Sequence, residues 1–344
     1  MNEQAAVPMR LAEIKRKPLN LNDGDLIKVS QLRPGQMLPL VVEPAGPGLD
    51  LAQWAAGQRE FIREKLLEHG GILFRNFGVD TAASLEHTIN AISGESLEYR
   101  ERSSPRSLVE GKIYTSTDYP ADQSIFLHNE NSYQRSWPMK IFFCCILPAT
   151  GGGETPIADC RKVFARLPKQ VVEQFEKKRC MYVRNFGTAF GLSWKAVFQT
   201  SDKPEVEAHC RRNGLEAQWL DGDRLRTSAI RSAVVRHPVL GQPLWFNHVT
   251  FFHISTLGAV GEMLLEELGE ENLPNNTYYG DGTKIEPEVL ELMREAYRAE
   301  TISFPWQKGD VLVLDNMLTA HGRAPFKGAR KVVVGMAEAT SEVE

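Results

Sequence analysis

Two polar stretches, far apart in this 344-residue chain and each closing an apolar run, constrain the fold more than anything else in it. The first is Ser124-Ile-Phe-Leu-His128-Asn-Glu130-Asn-Ser-Tyr133, and the second is Asp315-Asn-Met-Leu-Thr-Ala-His321. In His128-Asn129-Glu130 the imidazole and the carboxylate are two positions apart, so on an extended strand both point to one face. That is a two-ligand metal clip. Two imidazoles and one carboxylate form the donor set that suits non-heme iron(II) and leaves positions open for substrate and oxygen. His321, after the strand-like run Asp310-Val-Leu-Val-Leu-Asp315, is the natural third ligand. His237, His248 and His253 also lie near strand segments and compete for that place. Two strand-end sites so distant in sequence can converge if their strands are neighbours in a closed double sheet.

The rest of the chain supplies such strands. Residues 1–50 are polar and rich in Pro and Gly, an N-terminal arm with one or two short strands around Leu38 to Val42. Residues 51–344 form a single domain. The spacing of Trp54, Ala55, Phe61, Ile62, Leu66 and Leu67 predicts a helix over 51–69, stopped by Gly70-Gly71, and a second follows over 82–93. Helices that should hold His69, His87 and His209 place these imidazoles in solvent. Strands are expected at 71–77, 113–119, 139–147, 180–184, 215–220, 233–237, 244–248, 301–304, 310–314, 319–323 and 331–336. Short helices fall at 160–166, 169–178, 202–212, 262–268 and 286–300. The stretch 113–119 is aromatic enough to border a pocket. Many short strands without βαβ alternation imply a mostly β fold with peripheral helices on a double-stranded β-helix, or jelly-roll, core.

A net charge of −4 offers no basic surface for nucleic acid and no polybasic segment for lipid. The longest apolar run, Ile141–Leu147, is far below the ~20 residues needed to span a bilayer. Five cysteines, odd in number and without zinc-type spacing, read as buried thiols of a reducing compartment. With no apolar segment of signal-peptide type near Met1, the expectation is cytoplasmic.

Four stretches together resemble the iron(II)/2-oxoglutarate-dependent oxygenases of the taurine dioxygenase and clavaminate synthase superfamily. They are similar above all to hydroxylases of nonribosomal-peptide pathways, such as the syringomycin-biosynthesis hydroxylase. The stretches are His128-x-Glu130, Gly151-Gly-Gly-Glu-Thr155-Pro-Ile-Ala-Asp159, Asp315-Asn-x4-His321, and His321-Gly-Arg323-Ala-Pro-Phe-Lys-Gly-Ala-Arg330. Their order and spacing agree from about Leu51 to Met336.

The resemblance implies His128, Glu130 and His321 as metal ligands and catalytic centre, with Thr155 and Arg330 holding the distal carboxylate of 2-oxoglutarate. An arginine fits that carboxylate better than a lysine because its planar fork pairs two donors with two oxygens. Glu130 stands where the taurine dioxygenase pattern has Asp, as in the clavaminate synthase group. A halogenase of this fold has a small residue there, so Glu130 argues against halogenation. Tyr133, Asn247 and Arg323 are weaker candidates for substrate contact. The implied reaction consumes O2 and 2-oxoglutarate, releases succinate and CO2, and hydroxylates an unactivated carbon of an amino acid or amino-acid-derived molecule, free or carrier-bound. Desaturation or cyclisation with the same cofactors, and a non-catalytic jelly-roll metal-binding protein, are the alternatives. Oligomeric state is not legible.

Overall fold

The strand Ser136–Leu147 divides the molecule by the alternation of its side chains. In a computed structural model, which describes residues 26–98, 106–116, 119–187 and 191–341, Phe142 and Cys144 pack with the helices Leu51–Gly57, Arg59–His69 and Ala82–Ser93. Ile141, Phe143 and Cys145 point the other way, into a second core with Leu312, Leu314, Val332 and Val334. A stretch of strand buried on both faces needs an unbroken apolar sequence, which this one has from Ile141 to Leu147.

It lies in an eight-stranded sheet whose order is Ile27–Gln31, Leu40–Pro44, Gly71–Phe74, Val311–Asp315, Ser136–Leu147, Lys331–Ser341, Ile113–Thr115 and Leu108–Glu110. A four-stranded sheet faces the second core: Thr301–Ile302, Ile157–Asp159, Thr319–Arg323 and Ile125–His128, in that order. Ile157 joins the core between the sheets, while Leu127, Ala158 and Ala320 point outward to the helices Cys160–Arg166, Lys169–Lys178 and Pro287–Ala299. A separate antiparallel sheet, Glu216–Leu220, Arg224–Arg231, Cys180–Phe186 and Asn275–Tyr279, packs beside these helices.

Several expectations need correction. The short strand expected around Leu38 to Val42 is Leu40–Pro44, which pairs in parallel with Gly71–Phe74, and Leu40 and Val42 are core residues. The expected helix over 51–69 is two, separated at Gln58, and Gly70 ends the second with φ 79°. His69 is buried, its Nδ1 2.7 Å from the Met37 carbonyl, rather than solvated; His87 is exposed as expected. The strand at 244–248 stops at Trp245, and Val249–Phe252 turns helical. Arg224–Arg231 and Asn275–Tyr279 are strands that the sequence reading missed, since polar residues fall on both faces of each and blur the alternation. Helices take a larger share than a mostly β reading implies. All five cysteines are free and buried, as expected. No helix among the described residues is long and apolar enough to cross a membrane.

Candidate active site

Register on the smaller sheet builds the site. His321 is the cross-strand partner of His128 on one side and of Ile157 on the other. Cross-strand partners share a face, so both imidazoles lie on the side where Ile157 meets the core. Phe143 of the large sheet closes against the His321 ring, centroids 5.0 Å apart. Phe251 stacks on the His128 ring at 4.3 Å.

Glu130 reaches the same place by a different route from the expected extended strand. The strand ends at His128, and Glu130 lies in the turn that follows, with Asn131 at φ 57°. Asn316 holds that turn. Its Oδ1 accepts from the Glu130 N–H at 2.8 Å, and its Nδ2 donates to the Glu130 and Pro138 carbonyls, each at 2.9 Å. Asn129 donates back to the Asn316 carbonyl at 2.6 Å. Asp315 in turn accepts from the Met317 and Leu318 N–H groups and from His237 Nε2, which anchors the start of the segment leading to His321.

One donor atom from each of His128, Glu130 and His321 lies within 4.8 Å of the others. The surroundings fit a divalent ion. His128 Nδ1 is 2.9 Å from the Phe126 carbonyl, so that nitrogen carries the proton and Nε2 keeps its lone pair. Burial, followed by the neighbouring His321 and His248, holds the His128 imidazole well below the usual range and therefore neutral. Burial would push Glu130 up, but Arg106, then His321 and His128, hold its carboxyl far below the ordinary range. The set is thus two buried imidazoles and an anionic carboxylate, which is a ligand set rather than a hydrophobic core.

Two cavities meet at His128, Ile125 and Arg106. The narrow one continues past His321 to Thr155, Arg323 and Arg330. Among the described residues, its lining includes three guanidinium groups and no carboxylate, and neither Arg330 nor Arg323 has a carboxylate partner. Arg330 donates from Nε to the Gly153 carbonyl at 2.8 Å and from Nη1 to Ser116 Oγ at 3.2 Å. Burial and then the charge of Arg323 push Arg330 down to about 10. A cation strained in this way favours an anion beside it. Thr155 is buried, and its Oγ1 accepts from Trp306 Nε1 at 3.2 Å. The glycine run shapes this wall: at Gly152, φ 69°, a Cβ would stand 2.2 Å from the Pro325 carbonyl oxygen. The other cavity, about 380 Å³, is walled by Phe251, Phe252, Ile254, Leu257, Leu264 and Pro274, with His253, Thr256 and Asn275 as polar points. Tyr119 and Ser116 at the end of the expected aromatic segment border the two cavities, whereas residues 117 and 118 lie outside the described ones.

The competing histidines are elsewhere engaged. His237 pairs with Asp315, His248 Nδ1 is 2.9 Å from Ser132 Oγ, and His253 lines the larger cavity. The weaker substrate candidates fare differently. Asn247 donates to the Ala233 carbonyl and accepts from the Val249 N–H, so it caps a turn behind the site. Tyr133 packs on His248 and Phe252 and borders a different small cavity. Arg323 lines the narrow cavity, but its guanidinium clamps the carbonyls of Tyr119, Pro120 and Gln123. Arg106 was missed, because a lone arginine in a charged stretch carries no spacing signal.

Comparison with known proteins gives the family. Residues 30–337 match the family described as taurine catabolism dioxygenase TauD, TfdA family. The chain is 42% identical over 276 residues to the dapdiamide synthesis protein DdaC of Enterobacter agglomerans, covering 80% of this chain and 84% of that one. It is 28% identical over 320 residues to a clavaminate synthase-like protein of Arabidopsis thaliana, covering 87% and 93%. Among solved structures, PvcB of Pseudomonas aeruginosa superposes with a TM-score of 0.55 at 18% identity over 93% of this chain and 94% of its own. PvcB is described as an Fe, alpha-ketoglutarate dependent oxygenase from an isonitrile synthetic pathway. A matching family profile over most of the length, a relative at this identity and a His-Glu-His cluster together make the chain a member of the TauD/TfdA family, an iron(II)- and 2-oxoglutarate-dependent dioxygenase.

Proposed function

We propose that His128, Glu130 and His321 hold the iron, that Thr155 and Arg330 hold 2-oxoglutarate in the narrow cavity, and that the larger cavity takes an amino acid or amino-acid-derived substrate, free or carrier-bound, for hydroxylation. The observation that carries this reading is the junction of the two cavities at the buried cluster. One cavity holds Arg323 and Arg330, neither with a carboxylate partner among the described residues, and fits a dicarboxylate; the other is mostly apolar and fits the carbon to be oxidised. The relative named for dapdiamide synthesis supports a biosynthetic substrate. The eight-stranded and four-stranded sheets are, on this reading, the two halves of a jelly roll, with the site between them.

Iron(II) with bound 2-oxoglutarate and O2 supplies the oxidising power, 2-oxoglutarate leaving as succinate and CO2. The protein supplies position. His128 presents a neutral nitrogen, His321 a second imidazole and Glu130 an anionic oxygen, and Asn316 fixes the turn that aims it. Arg330 with Thr155 orients the cosubstrate from its far end. Phe251 and Phe143 shield the imidazoles from water, while the walls of the larger cavity decide which C–H bond faces the metal.

The test is a mass-spectrometric screen of free amino acids and carrier-bound aminoacyl groups, incubated with iron(II), 2-oxoglutarate and O2. The expected hit gains one oxygen atom in step with succinate. A product that instead loses two hydrogens would overturn hydroxylation while keeping the cofactor reading.

A further inference from the structure

Arg106 stands where the two cavities meet. Its Nη2 donates to Glu130 Oε2 at 2.7 Å, and the two side chains are 3% and 2% exposed. The same oxygen lies 3.7 Å from His321 Nε2. The guanidinium therefore reaches Glu130 at the oxygen that also faces the distal imidazole, not from a remote side. A metal ion held by this cluster would share one carboxylate with a fixed cation, and like charges a few ångströms apart in a water-poor interior repel strongly.

The charge count shows what relieves that repulsion. With a divalent ion, Glu130 and Arg106, the centre carries a double positive charge; without the arginine it would carry a single one. 2-Oxoglutarate arrives as a dianion. Arg106 thus disfavours the metal alone and favours the dianion once the metal is present. A guanidinium suits this role, since it keeps its charge when buried and its fixed fork holds its direction.

Resting on the iron site proposed above, we propose that Arg106 is a positioning residue that couples metal and cosubstrate loading, weakening the binding of the metal alone and strengthening that of 2-oxoglutarate to the metal-loaded site. Such coupling is reciprocal: whatever factor 2-oxoglutarate adds to metal affinity, the metal adds to 2-oxoglutarate affinity. The enzyme then avoids holding a redox-active ion without its cosubstrate.

The test is calorimetric titration of the metal-stripped full chain with Mn(II), with and without saturating 2-oxoglutarate, so that no turnover enters the readout. The wild type is compared with Arg106→Lys, Arg106→Gln and Arg106→Met. In Arg106→Gln and Arg106→Met, Mn(II) alone should bind at least as tightly as in wild type, and the factor by which 2-oxoglutarate tightens it should shrink roughly tenfold, within the usual span of site coupling. Arg106→Lys should keep most of that factor. Lys and Gln can both donate to Glu130, so this pair separates charge from hydrogen bonding even if the Met variant does not fold. Weaker binding of Mn(II) alone in Arg106→Gln, with an unchanged coupling factor, would overturn the proposal and leave Arg106 a mere prop for Glu130. A wild type that takes up no Mn(II) would instead overturn the site reading beneath it.

Discussion

His128 and His321 are direct antiparallel cross-strand partners, their ring centroids 4.5 Å apart, although one strand precedes most of the chain's insertions and the other follows them. Close approach of these two strands depends on Gly322, where an added Cβ would stand 2.6 Å from the Ile125 carbonyl oxygen. A glycine within a strand often marks a place where another backbone comes this near, and a side chain added there must push that backbone away. Gly322→Ala should push the strands apart at a cost of about 1–3 kcal/mol and lower iron(II) affinity by about tenfold or more. Circular dichroism with metal titration checks it: unchanged affinity in a folded variant would show that the pair does not depend on this contact.

Arg330 and Lys331 offer an adjacent comparison. Arg330 reaches inward to Gly153 and Ser116, and Lys331 is exposed. Arg330→Ala should weaken 2-oxoglutarate by about 2–5 kcal/mol, because a carboxylate bound there would be left buried and unpaired, while iron binding stays nearly intact. Lys331→Ala should do little. Equilibrium binding of 2-oxoglutarate to both variants decides, and a larger loss in Lys331→Ala would contradict the assignment.

Asn316 ties three backbone groups, two in the turn at Glu130 and one at Pro138 in the strand Ser136–Leu147. Replacing it by Ala strands buried donors and acceptors at about 1–3 kcal/mol for each group left unmade. The urea midpoint of Asn316→Ala should fall with its slope unchanged, and iron affinity should fall with it. A variant with wild-type midpoint and affinity would mean that the turn holds itself.

How much of this was legible in the sequence differs by element. The clip and His321 were readable because ligand chemistry demands particular residue types, and the apolar runs before them marked strands. The glycine run and Arg330 were readable only through the family pattern, since a turn next to a strand has many uses. Arg106 and the role of Asn316 were not readable. Each acts through a contact with a residue distant in sequence, Arg106 with Glu130 and Asn316 with Glu130 and Pro138, and no periodicity encodes such a pair. The strand Arg224–Arg231 escaped notice because its neighbours, not its own hydrophobicity, hold it in place.

His253 lines the larger cavity, and burial, followed by the charge of Arg294, pushes its imidazole down to about 4. Between that value and the ordinary value near 6.5 the unfolded chain binds a proton that the folded protein does not, so stability falls as pH drops through this window. His253→Asn should flatten the slope of stability against pH there. Chemical denaturation at several pH values measures it; an NMR titration of His253 with a midpoint near 6.5 would contradict the expected neutrality.

In the proposed site, His128, Glu130 and His321 hold the iron that 2-oxoglutarate chelates. Anaerobic titration of the metal-stripped protein with iron(II) and 2-oxoglutarate tests it most directly, because the chelate gives a weak visible metal-to-ligand absorption. The wild type should develop this band at one iron per chain, and His128→Ala and His321→Ala, each reduced to two protein ligands, should not. A wild type without the band, or either variant developing it at wild-type affinity, would contradict the account.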